Sequence, residues 1–303
     1  MHVFISPHPD DAALSCGGRI ARLRDRGELV AIVTVFSGAG APGTAVSGYQ
    51  RAALGIRGAA ADADEIFRDG STIAAARRAE DARYAGFVGA AITWLDLPDA
   101  VYRGYESDAQ LLSDPLPDER PPVDVLRRAL GTLGDLAQAA GAGERVQVHA
   151  PLGVGGHVDH VLCRDAAIAL LPRYPDLFLY EDVPYAGLSG FTGWEAAPGP
   201  EGSRLAATYT DVSAVLERKV DGALLYATQV GPLFGSEAAT RRALREYHAR
   251  VADEGARASS DTTAGGEGPP VYAERSWRVE VSPAGTPFAG PGANGSPAPD
   301  SKT

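Results

Sequence analysis

Short apolar and β-branched runs alternate along this chain with longer segments in which apolar positions recur every three or four residues. The runs HVFIS (2–6), LVAIVTVF (29–36), AITWLDL (91–97), RVQVHA (145–150) and LFLYEDV (177–183) read as strands. The second is almost wholly apolar, the pattern of a strand covered on both faces. Segments 11–27, 71–89, 122–141 and 157–174 have helical spacing and end near Gly or Pro. Strand and helix in alternation predict an α/β fold: a Rossmann-like, mostly parallel sheet with helices on both faces, in a single domain. Residues 210–230 and 236–255 read as amphipathic helices, and PVYAERSWRVEV (270–281) as a final edge strand.

Two stretches interrupt the alternation. Residues 37–70 are rich in Gly and Ala and read as loops with a short helix. Residues 98–121, with Pro98, Pro115, Pro117 and Pro121, form a second excursion of the kind that builds a binding mouth. A Gly/Ser/Thr-rich break at 258–268 precedes the last strand. From 283 to 303 the composition turns to Pro, Gly and Ser, which reads as a disordered tail behind a domain of residues 1–282.

Charge and composition narrow the partners. A net charge of −11 excludes a general affinity for nucleic acid or anionic membrane, which require basic surface. No apolar run approaches the ~20 residues that span a bilayer, and the N-terminal stretch lacks the basic, apolar and small-residue order of a signal peptide. Cys16 and Cys163 do not make a disulfide framework and read as small buried packing residues. A soluble, cytoplasmic protein with a small-molecule ligand is expected.

The chemistry lies in two polar clusters, each where a strand ends. One is PHPDD after the first strand, and the other is PLGVGGHVDH after RVQVHA. Open parallel sheets bind ligands at the carboxyl ends of their strands. Taken singly, each cluster has an ordinary alternative: a loop histidine, and carboxylates that cap a helix. Together they supply His8, Asp11 and His160, a set of three protein ligands that leaves positions open on a catalytic divalent metal. Asp10 would then lie beside the attacking water as general base, and a protonated His157 would donate to the developing oxyanion. Asp159 is suited to hold a histidine's second nitrogen.

The segments SPHPDDAALSCGG, RRAEDARYAGFVG and PLGVGGHVDHVLCRDAA closely resemble the LmbE/PIG-L family of metal-dependent N-deacetylases. The resemblance implies a Rossmann-like fold, one zinc ion, and hydrolysis of an N-acyl group, most often N-acetyl, on an amino sugar or a conjugate containing N-acetylglucosamine. It places the metal on His8, Asp11 and His160, the general base on Asp10, and the oxyanion donor and its neighbouring carboxylate on His157 and Asp159. It also implies substrate contacts at Arg77, three residues before Glu80, and at Asp99. The family's place in antibiotic pathways points to a secondary-metabolite substrate. Alternatives are an amidase of a thiol-sugar conjugate, a metal-dependent phosphoesterase and a noncatalytic sugar-binding protein.

The chain departs from that pattern at Ala12, where an acidic residue is common, and at Gly155, where some relatives carry a mobile tyrosine. A phenol near the oxyanion would then come from Tyr102, Tyr180 or Tyr185. Glu181 and Asp182 either face the same mouth or cap a turn. Gly17 and Gly18 lack the spacing of a dinucleotide loop and read as close packing. His149 reads as a core residue, the arginines of 241–250 as a solvated face, and Trp94 and Trp194 either line the mouth or pack.

Overall fold

The computed structural model describes residues 1–40, 47, 49–50, 70–141, 145–188, 203–259 and 270–281. Most of the 37–70 excursion, Trp194, most of the 258–268 break and the 283–303 tail lie outside the described residues.

Seven strands form one sheet in the order β3-β2-β1-β4-β5-β7-β6. The first five are β1 (His2–Ser6), β2 (Val30–Thr34), β3 (Ala91–Trp94), β4 (Gln147–Pro151) and β5 (Leu177–Tyr180), and neighbours among them pair in parallel. The last two, β6 (Ser203–Asp211) and β7 (Ala273–Val281), are antiparallel to each other, and β7 is antiparallel to β5.

Alternation along the strands divides the core into two layers. Val3 and Ile5 of β1, Ala31 and Val33 of β2 and Val148 of β4 pack with α4 (Val123–Ala139) and α5 (Val158–Ala169). Phe4 and Ile32 point to the opposite face, onto α1 (Asp11–Asp25) and α2 (Gly70–Val88). The five residues of β1 and of β2 are buried throughout, which is why these strands read as continuous apolar runs.

Three expectations are corrected. Strand β6 was not anticipated: it is one of the sheet's two outer strands, half-exposed along its length, and SRLAATYTD gives no clean alternation. It moves β7 inward, so PVYAERSWRVEV is not an edge. The segment 210–230 is not one helix: the end of β6, a 3₁₀ turn (Ser213–Val215), α7 (Leu216–Ala223) and the start of α8 (Ala227–Phe234) share it. The excursion at 98–121 holds a 3₁₀ turn (Ala100–Tyr102) and α3 (Asp108–Leu111). The short helix α6 (Tyr185–Leu188) and the long α9 (Glu237–Ser259) complete the described helices.

Gly17 and Gly18 serve close packing, as their spacing suggests. A Cβ at Gly17 would lie 2.9 Å from Lys219 Cγ, and one at Gly18 would lie 2.6 Å from Val212 Cγ1. The approach lets Glu274 of β7 reach the middle of α1, where it accepts Gly18 N–H at 2.7 Å and Arg19 N–H at 2.8 Å. The buried ammonium of Lys219 donates to the same carboxylate at 2.7 Å.

Candidate metal and catalytic site

The sheet order reverses between β1 and β4, since the chain runs outward from β1 to β3 and returns to lay β4 on its other side. Ligand clefts of open α/β sheets form at such a switch point. There the loop after β1 carries His8, Asp10 and Asp11, and the loop after β4 leads to His157, Asp159 and His160. Residues 151 apart in sequence come into contact: His8 Nε2–H donates to Asp159 Oδ2 at 2.9 Å.

Ser6 folds the first loop. Its hydroxyl donates to His8 C=O at 2.7 Å and accepts Ala12 N–H at 3.0 Å. Asp10, the residue before α1, sits at φ 110°, a conformation disfavoured for any residue with a Cβ, and its side chain makes no cap bond. The helix-cap alternative therefore fails for Asp10. Its carboxylate faces Arg77 Nη2 at 3.6 Å instead. Burial, and then the adjacent Asp11 charge, push the Asp10 carboxyl up to about 8, with Arg77 pulling the other way.

Asp11 Oδ2 is 3.3 Å from His8 Nδ1 and 3.4 Å from His160 Nε2. Each imidazole spends its other nitrogen on a buried carboxylate. His8 Nε2 goes to Asp159, and His160 Nδ1–H donates to Asp182 Oδ1 at 2.6 Å. With those protons placed outward, lone pairs of both rings face the Asp11 oxygen. Three such donors aimed at one point suit a divalent cation held among them. Tetrahedral bonds of about 2.1 Å put ligand atoms roughly 3.4 Å apart, which matches the spacing from Asp11 to each ring. Burial works against Asp11, but His160 and His8 hold it down at about 2, so its carboxylate stays available as a ligand. The set fits one divalent ion. His8, His157 and Asp159 also converge, but Asp159 is already occupied by Arg103 Nη2 at 2.6 Å and Ala100 N–H at 3.0 Å.

His157 caps α5 with its own ring: Nδ1 accepts the Asp159 backbone N–H at 3.2 Å. The accepting nitrogen carries no hydrogen, so Nε2 does. Burial, and then the charges of His8 and His160, push the ring down to about 3. With Nδ1 accepting, the ring donates through Nε2–H as a neutral imidazole, where a protonated one was expected. Asp159 is next to it in sequence, yet its carboxylate orients His8, not His157.

The structure brings all eight predicted site residues to one region. Arg77 Nη1 lies 3.5 Å from Asp99 Oδ2, so its guanidinium bridges Asp10 and Asp99. A cleft of roughly 530 Å³ is lined by the metal set, Asp10, Arg77, Asp99 and His157, with Tyr185 and Gln229 among its remaining walls. Of the three tyrosines considered, Tyr185 is the one lining this cleft; Tyr180 OH is turned away to Ile5 C=O at 2.7 Å. A Cβ at Gly155 would meet the Tyr185 ring at 2.9 Å, so the glycine leaves room for that ring.

The family model described as PIG-L, GlcNAc-PI de-N-acetylase, matches residues 3–171. A 2'-N-acetylparomamine deacetylase of Streptomyces fradiae is 32% identical over 283 residues, covering 91% of this chain and 88% of that protein. The chain belongs to the PIG-L family. Among solved structures, a deacetylase of teicoplanin biosynthesis in complex with bog aligns with a TM-score of 0.65 at 25% identity, over 93% of this chain and 99% of that one. A zinc-inhibited form of the teicoplanin deacetylase Orf2 aligns with a TM-score of 0.63, also at 25% identity, with the same coverage of each chain. The chain is thus an amide hydrolase of the PIG-L deacetylases.

Two supports of this PIG-L site were missed or left open in the sequence. Asp182 orients His160 and accepts Gly153 N–H at 2.7 Å and Val154 N–H at 2.8 Å. Glu181, its neighbour, turns away to Arg275 Nε at 2.5 Å and Tyr247 OH at 2.6 Å. Arg103 ties Asp159 to the excursion through Glu119 Oε1 at 2.5 Å, and its guanidinium lies 4.6 Å from the centre of the Phe36 ring. Nothing in the spacing of Arg103 or Asp182 marks them, because each acts through a long-range contact. Trp94 packs, donating to Asp81 at 3.0 Å, and His149 stacks on Phe4 and Phe178 in the core. No described helix is long and apolar enough to cross a membrane.

Proposed function

We propose that the protein is a zinc-dependent N-deacetylase that releases the N-acetyl group of an amino-sugar conjugate, of the kind handled by the paromamine and teicoplanin deacetylases it resembles. One observation carries the proposal. The donors of His8, Asp11 and His160 converge in the same cleft as a carboxylate that is not among them, Asp10, and a neutral imidazole donor, His157.

When bound, the ion polarises the amide carbonyl and acidifies water, the two services a divalent metal gives to amide hydrolysis. Asp10 takes the proton of the attacking water. Its strained backbone and the Arg77 contact fix the carboxylate for that transfer. His157 Nε2–H donates to the carbonyl oxygen as negative charge grows there. As the C–N bond breaks, Asp10 returns its proton to the amine. A neutral His157 has no proton to spare, so this step falls to Asp10. Asp99 and Arg77, bridged at the edge of the cleft, contact the sugar hydroxyls. The reading also takes residues 1–282 as one catalytic unit in a reducing cytoplasm, which agrees with two buried free thiols.

The test is acetate and amine release from methyl N-acetylglucosaminide and 2'-N-acetylparomamine by zinc-loaded protein, with a chelated control. Zinc-dependent release from either substrate is expected. Stoichiometric zinc with no release from any N-acetylated amino sugar would defeat the proposal.

A further inference from the structure

A second cavity lies behind one wall of the cleft. Pro184 lines both, and the short helix that follows it, α6, divides between them: Tyr185 lines the cleft and Gly187 the neighbouring cavity. The end of α8 divides in the same way, with Leu233 on the cleft and Phe234 on the other side. The outer wall is one face of α9, formed by Ala243, Glu246, Tyr247 and Arg250 at helical spacing. The space amounts to roughly 770 Å³, against roughly 530 Å³ for the cleft. Small residues help to keep it open. A Cβ at Gly187 would lie 3.8 Å from Tyr247 Cδ2, an ordinary packing contact, so a larger side chain there would extend into the cavity.

The charges around this cavity do not cancel. Arg250 Nη2 donates to Ala186 C=O at 2.8 Å, its guanidinium stands 5.4 Å from the centre of the Tyr247 ring, and its Nε lies 3.8 Å from Glu254 Oε1. Glu254 also accepts from Arg275 Nη1 at 2.6 Å, and Arg275 is paired in turn with Glu181. Two cations thus meet two carboxylates. Glu246 is the charge left over in this set: it is exposed and has no ion-pair partner among the described residues. A carboxylate close to the rings of Phe234 and Tyr247 suits a saturated ring that bears a protonated amine. The ammonium meets the carboxylate while the C–H face packs on the aromatic surface. The N-acyl group of a substrate must reach Asp10 and His157 in the cleft, so the neighbouring cavity is left for the remainder of the conjugate.

We propose that this cavity is the subsite for the second ring of the conjugate, that this ring carries a protonated amine, and that Glu246 meets that amine. The inference rests on the amino-sugar deacetylase reading and deepens it.

The experiment measures kcat/KM in wild type, E246Q and A243W for three N-acetylated substrates. Methyl N-acetylglucosaminide has one ring. The second ring of 2'-N-acetylparomamine bears amines, and that of 1D-myo-inositol 2-acetamido-2-deoxy-α-D-glucopyranoside is neutral. Zinc content and thermal midpoint check each preparation. Wild type is expected to favour the paromamine derivative through KM, and salt at about 0.5 M should erode that preference. E246Q should lower kcat/KM for the paromamine derivative about fivefold, remove the salt dependence and keep the ratio between the other two substrates. In A243W the indole fills the cavity, so both two-ring substrates should fall about tenfold relative to the one-ring substrate. A wild-type preference for the neutral second ring, an unchanged ratio of the two-ring substrates in E246Q, or equal losses on all three in A243W would overturn the inference while leaving the deacetylase reading intact. No turnover of any of the three by the wild type would sink both.

Discussion

The exchange Asp182→Asn keeps the shape of the side chain and removes its charge. Asp182 is acceptor to three donors: His160 Nδ1–H at 2.6 Å, Gly153 N–H at 2.7 Å and Val154 N–H at 2.8 Å. An asparagine offers one acceptor oxygen and one NH₂ group. If the oxygen stays with the two backbone donors, NH₂ faces His160 Nδ1 and forces that nitrogen to accept. The hydrogen then moves to Nε2, where it blocks the lone pair aimed at Asp11. If the amide flips, two buried backbone N–H groups lose their partner at about 1–3 kcal/mol each. The first outcome is cheaper, and it strikes the metal ligand directly. Loss of such an orienting carboxylate weakens metal binding about 10–100-fold, equivalent to about 1.4–2.7 kcal/mol. Competition against a chromophoric chelator measures the zinc affinity of wild type and D182N. Equal affinities, in a variant of unchanged thermal midpoint, would refute the tautomer reasoning.

Asp10→Asn should retain stoichiometric zinc and lose about 10²–10⁴-fold in turnover, read from single-turnover amine release. Arg103→Met should destabilise by about 3–5 kcal/mol in urea titration, because Asp159 is left charged, fully buried and short of a cation. Gly18→Ala should cost about 1–3 kcal/mol in the same assay, since its Cβ would lie 2.6 Å from Val212 Cγ1. Burial holds His149 and His248 well below the usual histidine range. The unfolded chain thus binds protons first as the pH falls below about 6.5, and stability should drop by about 1.4 kcal/mol per pH unit for each ring. Urea midpoints at pH 7.5 and 5.5 check this, and His149→Phe should flatten the fall.

The parallel half of the sheet was legible because β1 and β2 are buried on both faces and so carry continuous apolar runs. The convergence of His8, Asp11 and His160 was legible for a related reason. Its three residues sit within a few positions of strand ends, so the switch-point rule converts sequence position into proximity. What failed depended on partners far away in sequence. Strand β6 is held by its pairing with β7 and by little in its own pattern. Asp182 and Arg103 matter through the nitrogen or carboxylate each one meets. The protonation of His157 turned on a single backbone N–H, which only coordinates can supply.

The anchoring of α1 by Glu274 bears on how the enzyme comes into being on the ribosome. The helix that begins with Asp11 is made well before residue 274, yet two of its backbone donors and the ammonium of Lys219 converge on the Glu274 carboxylate. At about 5–20 residues per second, translation leaves that helix without its clasp for tens of seconds. A nascent chain released before residue 274 would keep His8, Asp11 and His160 but lack the clasp on the helix that begins with Asp11. Deacetylation should therefore begin only after Glu274 has been made and has docked on that helix.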